Sequence, residues 1–119
     1  MTLENCFYTI IDVMGDTTHL HLCETHPVYE GHFPGQPICP GVFTMSMVRE
    51  CASRLIGRRL RWKEVKSCRF TGMLYPGDDT TLVLNMHADA DDVELHAEIS
   101  KISAEGQAAV MLTIKGTLI

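Results

Sequence analysis

The stretch from His26 to Glu50, HPVYEGHFPGQPICPGVFTMSMVRE, holds four of the chain's five prolines and three of its nine glycines. It then passes abruptly into an apolar run. Within it His32 is flanked by glycine and proline turns, which fix a side chain in a rigid loop ahead of a helix. An imidazole titrates near neutral pH, so a histidine held this way can take or give a proton. The plain alternative is a structural histidine in a Gly/Pro loop. Cys39 is a nucleophilic side chain in the same stretch, but the sequence offers it no base partner, and it reads as a small packed apolar residue. His19 and His21 stand two residues apart on one strand face, as a metal-ligating pair would. No third ligand follows at suitable spacing, so they read as a solvated face and no metal is expected.

These groups need elements to position them. Phe7 to Met14 is β-branched and apolar, Gly15-Asp16 is a turn signal, and Thr18 to Cys23 alternates, so a hairpin with one buried face is expected. His26 to Gly41 is loop, cut by Pro27, Pro34, Pro37 and Pro40. Val42 to Ile56 has neither proline nor glycine, and its apolar residues cover most of a helical circumference, which predicts a buried helix. Gly57 reads as its C-terminal stop, with Arg58 and Arg59 well placed against the negative end of the dipole. From there the chain is β-like: Leu60 to Phe70, Thr80 to Ala88, Val93 to Ile102 and Ala108 to Ile119, joined by turns. The expected class is α+β, an antiparallel sheet holding one central helix.

A chain of 119 residues suggests one domain. The formal net charge of −5 is unevenly spread. Eight of the ten basic residues lie between Arg49 and Arg69 against two acids, a local +6, and the remaining two bases and thirteen acids leave −11 elsewhere. That points to an anionic partner met at one place and not to nucleic acid, the alternative being a solvated helix end and strand. Five cysteines without a CxxC make no disulfide framework, so a reducing, cytoplasmic setting is expected. The N-terminal MTLENCFYT lacks the basic and apolar regions of a signal peptide. No apolar run approaches the ~20 residues that span a bilayer.

The loop GHFPGQPICPGVF resembles the signature of 3-hydroxyacyl-acyl-carrier-protein dehydratases of the FabA/FabZ type, which runs GHFPG-x-P-x-x-PG and opens the central helix of a hot dog fold. Arg69-Phe70 followed by Tyr75-Pro76-Gly77-Asp78 is similar to that family's RF…PGD strand and turn. The resemblance covers nearly the whole chain, without a counterpart to the family's usual N-terminal helix, and implies a single hot dog domain over residues 1–119. It implies His32 as the catalytic histidine and Gly41 as the glycine whose backbone N–H binds the thioester carbonyl. The physics agrees, because a helix N-terminus stabilises the enolate charge left by α-proton removal. Phe33, Gly35, Pro40 and Val42 are the implied substrate-binding residues. The family's acid stands fourteen residues after the histidine, where this chain has Ser46. Serine delivers no proton near pH 7 as a tuned carboxylic acid does. Glu50 lies one turn further, on the same helix face, and leans back toward Ser46 if it follows the usual helical side-chain direction. An ion pair from Glu50 to Arg54 is the competing reading.

The resemblance thus implies a dehydratase or hydratase acting on 3-hydroxyacyl thioesters, linked to acyl carrier protein or coenzyme A, in fatty-acid, lipid or polyene biosynthesis. His32 is then the base, with Glu50 or water held by Ser46 in place of the acid. No cofactor, nucleic acid or membrane is expected. In that family each site joins the histidine of one protomer to the acid of the other, so a homodimer or a heterodimer with a related hot dog protein is implied. The alternative is a catalytically incomplete acyl-thioester-binding subunit paired with an active hot dog chain, and a hot dog thioesterase is a weaker one. Arg58, Arg59 and Arg61 are the expected docking face for an acidic carrier or the phosphates of coenzyme A.

Overall fold

Alternating apolar and polar residues bury one face of a strand. The computed structural model, which describes residues 2–31, 38–102 and 105–119, carries that pattern through most of its sheet. In chain order the elements are β1 (Tyr8–Met14), β2 (Thr17–Leu22), a short α1 (Val28–Gly31), the long α2 (Gly41–Ile56), β3 (Trp62–Phe70), β4 (Asp79–Asp89), β5 (Asp92–Ile102) and β6 (Ala108–Leu118). The strands form one sheet in the order β1-β2-β4-β5-β6-β3. Every neighbouring pair is antiparallel. The expected α+β class and the central helix are both present.

β4 and β5 set the register. Leu82 faces Ile99 and Leu84 faces Ala97 across the ladder, and all four are buried. β6 adds Leu112 and Ile114, and β2 adds Leu20 and Leu22, to the same core. Against it α2 presents Thr44, Met47, Val48, Cys51 and Ala52. Fully burying a Leu, Ile, Val or Met side chain such as these contributes roughly 1.5–3 kcal/mol. The helix stops where the sequence says it should: Gly57 takes φ 86°, and its N–H donates to the Ser53 carbonyl at 2.9 Å. That left-handed backbone suits a residue without Cβ.

Two expectations need correction. The helix is not buried all round, since Val42 is 72% exposed. The sheet covers one side of α2, and residues on the opposite side, Val42 and Ser46 among them, face away from this chain's core. The loop before the helix also contains the single turn α1, opened by the Val28 N–H donating to Nδ1 of His26 at 3.0 Å.

Candidate active site

The site is built at the start of α2. Pro40 caps the helix with extended backbone (φ −62°, ψ 138°) and no side-chain cap. Its carbonyl accepts from the N–H groups of Phe43 and Thr44, both at 3.1 Å, and from the Thr44 hydroxyl at 3.2 Å. Among the described residues the N–H groups of Gly41 and Val42 have no acceptor. Unfilled donors at a helix start, with the dipole behind them, attract a developing negative charge.

Gly41 is also where another element comes closest. A Cβ added there would stand 3.0 Å from Cζ of Phe70, the last residue of β3. Phe70 leans over the helix start and walls a groove of about 510 Å³ lined by Ile38, Gly41, Thr44, Gly72, Met73 and their neighbours. Among the described residues no charged side chain lines it, so it suits an uncharged chain. Cys39 closes one end: its N–H donates to the Leu74 carbonyl at 2.8 Å, and its sulfur lies 3.1 Å from the Tyr29 hydroxyl. Burial pushes the Cys39 thiol up to about 11, so it stays protonated and unreactive at neutral pH. Burial likewise raises the Tyr29 phenol above its usual range.

The remaining sequence-derived residues are separated by the structure. His32, Phe33 and Gly35 lie outside the described residues. Pro40 is the buried cap, and Val42 is exposed beside the groove without lining it. Ser46 lies about 140° around the helix from Gly41, on the side opposite the buried stripe, and its hydroxyl makes no hydrogen bond to the described residues. Glu50 does not turn back toward Ser46. Its carboxylate accepts from the Leu3 N–H at 3.0 and 2.9 Å, from the Glu4 N–H at 3.1 Å and from the Tyr8 hydroxyl at 2.9 Å. Nor does it pair with Arg54, which reaches Glu4 at 3.3 Å. The backbone donors of the N-terminal segment outcompete both partners that helical spacing suggested.

Arg58, Arg59 and Arg61 are exposed at the other end of the helix, roughly 25 Å along its axis from Gly41. Arg58 donates to the Asp91 carbonyl at 2.7 Å, and the backbone of Arg61 pairs with Ile119. His19 and His21 sit on the outer sheet face, their Nδ1 atoms 2.5 and 2.7 Å from Asp12 and Asp79. The described residues include no cluster of three or more His, Cys, Asp or Glu able to hold a metal. They include no helix long and apolar enough to cross a membrane.

The sequence model of the ApeI-like family, described as ApeI dehydratase, matches residues 15–109. The chain belongs to this family. A FabZ 3-hydroxyacyl-acyl-carrier-protein dehydratase of Coxiella burnetii is 32% identical over 103 residues, covering 76% of this chain and 71% of that protein. One of Latilactobacillus sakei is 30% identical over 93 residues, 72% of this chain, and the chain spans 66% of that relative's length. The dehydratase heterocomplex ApeI:P of Xenorhabdus doucetiae shares the fold, with a TM-score of 0.67 at 21% identity over 92% of this chain and 95% of that one. The architecture is thus the hot dog fold, its sheet wrapped on one long helix. As an ApeI-like chain it places the groove between the helix start and the β3–β4 connection. Sequence reading noticed Arg69-Phe70 as a motif but missed that Phe70, Gly72 and Met73 form a wall; the signal available was an aromatic residue ending a strand just before a turn.

Proposed function

We propose that the chain is one subunit of a dehydratase acting on a 3-hydroxyacyl thioester, and that a second, related hot dog chain supplies the acid. The observation that carries this reading is the contrast on one helix face. Ser46 occupies the family's acid position, while the nearest carboxylate, Glu50, is held by three donor groups of residues 3–8. A carboxylate so engaged has few free lone pairs with which to reach a substrate hydroxyl.

In this reading His32 takes the C2 proton of the bound thioester. The Gly41 N–H receives the enolate oxygen, and the partner's carboxylic acid protonates the departing C3 hydroxyl, giving water and a 2-enoyl thioester. Hydroxide leaves poorly, and a positioned acid contributes ~10²–10⁴-fold. The acyl chain lies in the uncharged groove beside Phe70. The side of α2 that carries Val42 and Ser46 meets the partner chain. Arg58, Arg59 and Arg61 dock the acidic carrier protein or the phosphates of coenzyme A. The two-chain dehydratase of Xenorhabdus doucetiae, whose fold this chain shares, supports an assembly of unlike subunits.

The test is dehydration of a 3-hydroxyacyl thioester by the purified chain and by Ser46→Glu. The wild-type chain alone should be near background, and Ser46→Glu should raise the rate by at least ~10²-fold, an increase that His32→Ala removes. Full activity of the wild-type chain alone, lost in Glu50→Gln, would overturn the reading.

A further inference from the structure

Glu50 is 10% exposed at its side chain. A carboxylate that far from water is costly unless donors meet its charge. Here two donors are backbone N–H groups, of Leu3 and Glu4, a third is the Tyr8 hydroxyl, and the Arg49 guanidinium stands 3.5 Å from the carboxylate. Residues 2–7 precede β1; Glu4 forms an isolated bridge with Tyr8, and the Phe7 carbonyl accepts from the Cys23 N–H at 2.9 Å just past β2. The segment nevertheless carries Phe7, which is fully buried.

The Phe7 ring is the hub of four. It packs against Tyr29 at 6.2 Å and 30°, against His26 at 5.7 Å edge-on, and against Phe43 at 5.1 Å edge-on. His26 also meets Phe43 at 5.5 Å. His26 and Tyr29 precede the site loop, and Phe43 is in the first turn of α2, beyond it. Offset and edge-on pairs of this kind stabilise beyond area burial, and they fix ring orientation. The Tyr29 hydroxyl makes a further link, to Cys39 at 3.1 Å.

We propose that residues 2–8 are an internal strap and that Glu50 is the positioning residue that holds it. Through Phe7 the strap fixes the His26–Tyr29 segment against the start of α2, where Gly41 sits. The expected effect on rate rests on the dehydratase reading above; the strap itself does not. Glu50 acts here through other residues, and its carboxylate takes no part in proton transfer.

Glu50→Gln keeps the size but offers only one acceptor oxygen, and Tyr8→Phe removes one donor without touching Glu50. Amide hydrogen exchange on the full chain should show roughly tenfold faster exchange in Glu50→Gln at residues 3–8, 26–29 and 38–44, with β4 and β5 unchanged. Tyr8→Phe should shift the same amides less, and the double variant should show less than the product of the two effects, because both act through one cluster. In the Ser46→Glu background, adding Glu50→Gln should lower kcat roughly tenfold, with KM nearly unchanged and both limbs of the pH–rate profile retained. Faster exchange confined to residues 3–8 would show that the strap does not hold the loop ends, and loss of a pH limb would show that Glu50 transfers the proton; either result overturns the proposal. If Ser46→Glu is inactive, the dehydratase reading fails while the exchange data still decide the strap.

Discussion

The two ends of α2 are built for different tasks. At its start two N–H groups have no acceptor among the described residues, beside a groove whose described lining carries no charge. Ser46, a turn further on, is equally without a partner there. In its second half Glu50 is met by three donor groups, Arg54 reaches Glu4, and the Arg49 guanidinium donates to the Leu60 carbonyl at 3.2 Å. Buried polar groups in a finished structure are paired. In the reading proposed above, this end, whose described lining is uncharged, receives the thioester. In the same reading the paired end is scaffold, and Glu50 belongs to it.

The sharpest way to break this contrast is to alter the open end. Gly41→Ala places a methyl 3.0 Å from the Phe70 ring. In the Ser46→Glu background it should lower the dehydration rate by roughly 10²-fold, since a misplacement of about 1 Å in a site costs that much. Adding Phe70→Leu should restore part of the loss. No effect would mean that the helix start and the Phe70 wall do not frame the reacting group.

A second test compares the ends by pH. Burial raises the Cys51 thiol from 9.0 to about 12 beneath the strap, and the Cys39 thiol from 9.0 to about 11 at the groove. A folded-state value above the unfolded one favours the protonated thiol in the native chain. This contribution is complete below pH 9 and is lost as pH rises toward 11–12. Urea unfolding should therefore show stability falling above pH 9 by up to about 1.4 kcal/mol per pH unit for each thiol. Cys51→Ser should flatten the fall more than Cys39→Ser. Equal stability at pH 7 and pH 10.5 would contradict the burial of both.

The smallest expected effect lies in the arginine cluster. Reversing the charges of Arg58, Arg59 and Arg61 should slow association with an acidic carrier protein several-fold and weaken its salt dependence, with folding intact. Unchanged binding and salt response would leave these residues as a solvated face.

Most of the fold was legible because its signals are local. The alternation from Thr80 to Ala88 and from Val93 to Ile102 became the β4–β5 ladder, whose turn Ala90 makes with φ 54°. Gly57 ended the helix as its position implied. The open face of α2 was misread because an apolar residue such as Val42 looks the same whether it meets its own sheet or faces out. The partners of Glu50 were not legible at all. Helical spacing offers Ser46 and Arg54, whereas the donors that hold it lie 42 to 47 residues away in sequence. The same holds for His19 and His21, whose carboxylates come from neighbouring strands.

The most direct measurement mixes two versions of the chain. One is wild type, with His32 intact and Ser46 at the acid position. The other carries both Ser46→Glu and His32→Ala. Each alone should dehydrate a 3-hydroxyacyl thioester at background. Refolded together, they should gain activity in proportion to the mixed dimer, because one site then joins His32 of the first chain to the new carboxylate of the second. Background activity in the mixture, alongside an active wild-type chain on its own, would contradict an acid supplied from outside the chain.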